Sequence, residues 1–208
     1  MYVPQHFRED RLDVLHDLIE DHSFATVVTA GPEGILATHI PVLLDRARGP
    51  LGTLRGHVAR ANPHWRHFGG TESLAIFQGP HAYISPTWYG SHGRVPTWNY
   101  LAVHAYGSVQ VMDDRSWVRD LVRETTRRYE AGLVPEWDPD VLGHDAMDRM
   151  VGAIVGFEIP IARLEGKWKL GQNRSRAERE GMAGGLRRQG RDGAQAIADL
   201  VEADLHQP

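Results

Sequence analysis

Residues 24–45 read FATVVTAGPEGILATHIPVLLD, two runs rich in β-branched residues on either side of GPEG. The runs carry strand propensity, and the glycines of the link accept the positive φ of a tight turn, so the stretch predicts a β-hairpin. Downstream, GTLRGHVA (52–59) continues as a third strand. Asn62 followed by Pro63 then signals a helix start, kept short by Gly69 and Gly70. SLAIFQG (73–79) and HAYISPTWY (81–89) read as strands interrupted by Pro80 and Pro86, GSHGRVPT (90–97) as a loop, and WNYLAVHAYGSVQVM (98–112) as renewed strand. Upstream, REDRLDVLHDLIEDH (8–22) places Leu12, Leu15, Leu18 and Ile19 at helical spacing.

Toward the C-terminus, DRSWVRDLVRETTRRYEAGL (114–133) predicts a helix capped at Asp113 or Asp114 and ended by Gly132 and Pro135. DPDVLGHDAMDRMVGAI (138–154) predicts another, leading into the strand GFEIPIARLEG (156–166). Roughly six to eight short strands joined by short links, with about four helices, indicate a mainly β, α+β chain built on antiparallel sheet or barrel rather than alternating βαβ units. The expected domain spans residues 1–173. Residues 174–208, rich in Arg, Gly and Ala, are expected to form a partly disordered tail with weak helices around Gly190–Gly193.

The 208 residues and 41% hydrophobic content suit one sizeable core. A net charge of -4 gives no basic footprint for nucleic acid, and the absence of cysteine excludes disulfides, thiolate metal sites and cysteine nucleophiles. Neither a leader segment nor an apolar membrane span is apparent, so a cytoplasmic, soluble protein is expected. No GxGxxG, GxxxxGK[ST], GxSxG or HExxH pattern occurs.

Three stretches carry candidate chemistry. In RGHVARANPHW (55–65), Pro63 and the preceding strand forbid a helical His57/His64 ligand pair, yet each imidazole is a candidate on its own. Arg55 and Arg60 are suited to phosphate or carboxylate. The alternative is a structural strand histidine with solvated arginines. FQGPHAYISPTWYGSHGRVPTWNY (77–100) gathers Trp88, Trp98 and Tyr100 into an aromatic patch, fit for a flat conjugated ring or a subunit interface. In EGKWKLGQNRS (165–175), Lys167 and Lys169 share one face of a strand, followed by the amides of Gln172 and Asn173; these hold a ligand's polar edge or form a plain strand exit at Gly171. Histidines 57, 64, 81, 92 and 104 are the available ligands for a non-thiolate metal or haem iron.

MYVPQHF, GHVARANPHW, FQGPHAYISPTWY, VPTWNYLAVHAYG and EGKWKLGQN, in that order, resemble the PaiB family of FMN-binding negative transcriptional regulators over residues 1 to 180. The resemblance implies an FMN-binding-type split β-barrel, a homodimer with ligand sites at its interface, and either FMN or, in the haem-dependent piperazate synthase branch, haem b. His64 where the family has Gln, Gly171 where it has Ser, and a short GSHGR loop are departures at pocket positions. They favour the second branch, in which an N-hydroxylated ornithine is cyclised through a nitrogen–nitrogen bond. Under it His57, or else His64, ligates iron. Arg55, Arg60, Lys167 and Lys169 face propionates or the substrate carboxylate, and Trp88, Trp98, Asn99, Tyr100, Gln172 and Asn173 line the cofactor. DNA is a partner only if the chain is instead the FMN-binding regulator.

Overall fold

The computed structural model describes residues 1–32 and 34–206, the side chain of Asp192 excepted, and divides them into two compact units. Unit 1 comprises residues 1–18, 78–104 and 165 onward; unit 2 comprises 19–77 and 105–164. Residue 173 is therefore not a boundary between compact bodies. The described C-terminal residues cluster with the N-terminal helix and the middle of the chain.

Unit 2 is built on the predicted hairpin. β2 (Phe24–Gly31) pairs antiparallel with β3 (Gly34–Asp45), from Phe24↔Pro41 to Gly31↔Gly34. Of the two turn glycines only Gly34 has positive φ, and Glu33 between them lies outside the described residues. β3 pairs with β4 (Thr53–Ala59), β4 with β8 (Ile154–Pro160), and β8 with β7 (Gln110–Met112). On its other edge β2 pairs with residues 73–76 of β5 (Glu72–Ile84). Alternation decides burial: Ala25 and Val27 are fully buried, whereas Phe24 and Ile35 on the other face are 69% and 76% exposed. Phe157 on β8 fills the space over Gly56, where an added Cβ would meet its ring at 2.7 Å.

Two helices cover β8. α2 (Arg115–Glu130) begins at Asp114, whose carboxylate accepts from the Trp117 N–H at 2.9 Å, as the sequence predicts. Residues 138–154 divide into a 3₁₀ turn (Pro139–Leu142) and α3 (His144–Gly152), because Gly143 breaks the run with a positive φ. Val118, Met147 and Val151 form the joint core, with Trp117 lying over Gly156.

In unit 1 the strand order is β1 (Arg8–Glu9), β9 (Arg163–Lys169), β6 (Thr97–Ser108), β5. α1 (Leu12–Asp21) sets Leu15 over Gly166 and Leu18 over Gly79. The tail expected to be partly disordered forms a helical hairpin of α4 (Arg176–Gln189) and α5 (Asp192–Leu205), turned by Gly190 in the left-handed region. Two signals outweigh its polar composition: a capping box between Ser175 and Glu178, and the apolar stripe Met182, Leu186, Ile197 and Val201, each 0% exposed. Trp88 seats α4, because Gly181 and Gly185 let the helix approach it. A Cβ at Gly185 would fall 2.2 Å from the indole. Among the described residues no helix is long and apolar enough to cross a membrane.

Gly185→Ala is expected to lower stability by about 1–3 kcal/mol through overpacking. Gly184→Ala, whose nearest neighbour is the flexible end of Arg188 at 3.5 Å, is expected to be neutral or to gain up to about 1 kcal/mol from helix propensity. Urea unfolding of the pair reads the difference; equal loss in both would remove the assigned role of the Trp88 seat.

Candidate functional site

Strand alternation sorts the residues of β6. Thr97 and Asn99 face a cavity of about 190 Å³ that Phe7, Tyr89, Lys169, Gly171, Asn173 and Arg174 complete. Trp98 belongs to the other face, with His81 and Tyr83. Consecutive strand residues cannot line one pocket, so the expected set of Trp98, Asn99 and Tyr100 is divided by the strand's own period. Two of the lining residues are backed by α4: the Asn99 side-chain N–H donates to Met182 Sδ at 3.2 Å, and a Cβ at Gly171 would meet the Met182 methyl at 3.1 Å.

The cavity is cationic. Lys169 Nζ donates to Thr97 Oγ1 at 2.6 Å, and the Arg174 guanidinium lies 5.5 Å from the centroid of the buried Tyr89 ring. Neither cation has an ion-pair partner among the described residues. Burial, with the charges of Lys167 and Arg174, pushes the Lys169 ammonium below its usual range. Burial likewise pushes the Tyr89 phenol up. The acid nearest in sequence to Arg174, Glu178, is already engaged. Ser91 and Arg94 donate to it, as do the Ser175 N–H and hydroxyl, holding its carboxyl at about 2. An anion entering the cavity therefore meets Lys169 and Arg174 without a competing carboxylate.

Other residues expected at the site have structural partners. Lys167 is 7% exposed; its ammonium donates to the Tyr2 carbonyl at 3.0 Å and lies 5.2 Å from the Tyr100 ring, which pins the N-terminal segment. Gln172 closes the strand exit, accepting from the Leu170 N–H at 2.9 Å and donating to the Trp168 carbonyl at 2.7 Å. Gly171 makes that turn at φ 81°. Trp88 is held against α4. Lys169, Asn99 and Asn173 are the expected residues that the cavity brings together.

Arg55, His57, Arg60 and His64 belong to unit 2. The arginines are ion-paired rather than solvated. Arg55 makes two bonds to Glu124, at 2.8 and 2.6 Å. Arg60 donates to the carbonyls of Gly152 and Ile154, both at 2.9 Å, and pairs with Asp113. His57 is half-buried on β4 opposite Gly156. The Asn62–Pro63 start is as the sequence predicts: Asn62 Oδ1 accepts from the His64 N–H at 3.0 Å, opening a 3₁₀ turn over Pro63–His67. That turn buries His64 to 1% exposure, with Nδ1 2.8 Å from Thr38 Oγ1 and the Phe68 ring 5.1 Å away. His64 Nε2 is buried without a hydrogen-bond partner. Burial pushes both imidazoles below their usual range, so both are neutral at pH 7. His64 is thus a buried, neutral imidazole with one nitrogen against a hydroxyl and the other bare.

Sequence reasoning missed Phe7, Tyr89, Thr97 and Arg174 in the cavity and Thr38 beside His64. Thr97 was accessible by counting two back from Asn99. Thr38 carried no local signal, since 26 residues separate it from His64.

A histidine whose folded value lies below the 6.5 of free imidazole binds fewer protons than the unfolded chain. Stability is therefore full above about pH 6.5 and falls as pH drops through that value. Unfolding free energies from pH 7.5 to 5 should show this slope, flattened in His64→Gln and in His57→Gln. An unchanged slope in both would reject the assignment.

Comparisons with known proteins agree with this fold. Residues 1–163 match the family described as "Putative FMN-binding domain". The protease synthase and sporulation protein PAI 2 of Bacillus subtilis is 33% identical over 208 residues, covering 99% of this chain and 98% of that protein. An uncharacterised protein of Emericella nidulans is 29% identical, covering 97% and 96%. Among solved structures, the FAD and heme binding protein of Mycobacterium smegmatis superposes with a TM-score of 0.58 at 15% identity, covering 78% of this chain and 73% of that one. The flavocytochrome Anf3 of Azotobacter vinelandii does so with a TM-score of 0.60 at 12% identity, covering 80% and 72%. The fold class is the mainly antiparallel split barrel with flanking helices.

Proposed function

Because the chain belongs to the PaiB-like family of FMN-binding domains, we propose that it is an FMN-binding protein whose unit 1 cavity receives the phosphate. The supporting observation is the pair of cations without carboxylate partners, Lys169 and Arg174, beside the amide of Asn173 and the hydroxyl of Thr97. A phosphate monoester supplies the missing charge and accepts from ammonium, guanidinium, amide and hydroxyl together. At about 190 Å³ the cavity is smaller than the roughly 300 Å³ at which pockets for whole drug-sized ligands begin. It suits the phosphate and its ester arm, with the flavin ring lying beyond it. The homodimer implied by the family resemblance is supported by the apolar sheet face of unit 2, where Phe24 and Ile35 stand in solvent.

Flavin fluorescence titrations test the reading. FMN should bind more tightly than riboflavin, and Lys169→Met should cut FMN affinity about 10- to 100-fold, the loss of one charge-assisted bond, while leaving riboflavin unchanged. The same preparation should sediment at twice the 23.3 kDa chain mass. Equal affinity for FMN and riboflavin in the parent protein rejects the phosphate assignment, and a monomer rejects the dimer.

A second reading rests on the bare Nε2 of His64. We infer that His64, rather than His57, is the haem ligand if the chain is of the haem-dependent type, since Thr38 holds one nitrogen and the other has no hydrogen-bond partner. Bound haem iron supplies Lewis-acid and redox chemistry toward the nitrogen–oxygen bond of an N-hydroxylated ornithine. The chain's contribution would be the orientation of the His64 ring by Thr38 and the apolar Phe68 ring packed beside it. Reconstitution with haem should give a Soret band that His64→Ala loses and His57→Ala keeps; the reverse pattern, or retention in both, removes His64. If the Soret-bearing protein yields no piperazic acid from N-hydroxyornithine, the cyclase activity falls while haem binding stands.

A further inference from the structure

The other face of β6 carries a feature that FMN phosphate binding does not use. Trp98 is 53% exposed and Tyr83 41% exposed, a costly state for two large rings in water. They are not independent: the rings meet edge to face at 6.0 Å, and His81 lies 6.2 Å from the indole at 39°. These side chains line one wall of an open cleft of about 560 Å³. The opposite wall is the turn between α4 and α5, contributing Gln189, Arg191 and Gly193.

The turn is built to come close. A Cβ at Gly193 would fall 2.8 Å from the His81 carbonyl oxygen, so glycine is what allows the first turn of α5 to reach β5. Arg191 is the N-cap of that 14-residue helix and makes no side-chain capping bond. The Arg191 side chain thus leaves the leading N–H groups of α5 uncapped, and the dipole end of the helix favours negative charge. Among the described side chains Arg191 has no ion-pair partner. One wall therefore offers the face and edges of aromatic rings, and the other a guanidinium, an amide and a helix N-terminus. The volume lies within the roughly 300–1,000 Å³ of small-molecule sites.

We propose that this cleft is a second small-molecule site, taking a planar aromatic carboxylate whose ring stacks on Trp98 and whose charge meets Arg191. Calorimetric titration of the full chain with 2-naphthoate, and with 2-naphthalenemethanol as its uncharged counterpart, tests it. The carboxylate should bind saturably and more tightly than the alcohol. Trp98→Ala should weaken both at least tenfold, and Arg191→Gln should abolish the difference between them. Trp98→Phe should recover most of the affinity lost in Trp98→Ala. Because the indole is half-exposed, the variants should keep the parent circular dichroism and melting temperature. Lys169→Met should leave naphthoate binding unchanged, and inorganic phosphate should not displace it, which separates this site from the cavity on the other face. Absence of saturable binding, or unaltered affinity in Trp98→Ala, overturns the proposal. Displacement of naphthoate by FMN but not by phosphate also overturns it, by assigning the cleft to the flavin ring itself.

Discussion

The seating of α4 on Trp88 is the constraint on which the functional half of unit 1 depends. Two glycines one turn apart remove the side chains that would hold the helix off, and the indole fills the space. Once the helix is seated, Met182 reaches Asn99 and the Gly171 turn, two residues that line the cavity. Glu178, at the first turn of the same helix, collects Ser91 and Arg94 and so fixes the loop between Tyr89 and Thr97. Both ends of that loop line the cavity. A single helix placement thus supports Asn99 and the Gly171 turn, fixes the loop and, through the turn at Gly190, sets the start of α5. Trp88, expected to touch a ligand, acts instead one step earlier by holding the helix that shapes the site.

Unit 2 shows how a motif can be rich in functional residue types and spend most of them on structure. Of the bases in RGHVARANPHW, Arg55 is held by α2 through Glu124, and Arg60 joins the strand end to the carbonyls of Gly152 and Ile154. The same motif leaves His64 with one bare nitrogen. The Asn62 cap and Pro63 set the chain direction that buries it, so local backbone chemistry and the imidazole's isolation have a common cause.

What could be read from the chain alone follows the range of the forces involved. The hairpin at 24–45, the Asn62–Pro63 start and the Asp114 cap rest on neighbours within a few residues, and they stand where the pattern puts them. The C-terminal hairpin was hidden because arginine and glycine content masks an apolar stripe that only a partner surface makes meaningful. Site residues were legible by type but not by grouping. Lys167 and Lys169 share a strand face, yet a tyrosine carbonyl takes one and a threonine hydroxyl beside the cavity takes the other. Gly171, a departure suggestive of altered ligand chemistry, is a positive-φ turn whose substitution is a backbone matter.

The capping box of α4 has a consequence for how acid acts on the protein. A carboxylate that loses its charge near pH 4 releases whatever it caps, but Glu178 holds its charge down to about 2 because its donors are bound to the ionised form. Its contribution to stability is present in full above the 4.5 of a free glutamate and is lost progressively as the pH falls from there to about 2. The tether from the 90–96 loop to α4 therefore outlasts ordinary surface ion pairs during acidification.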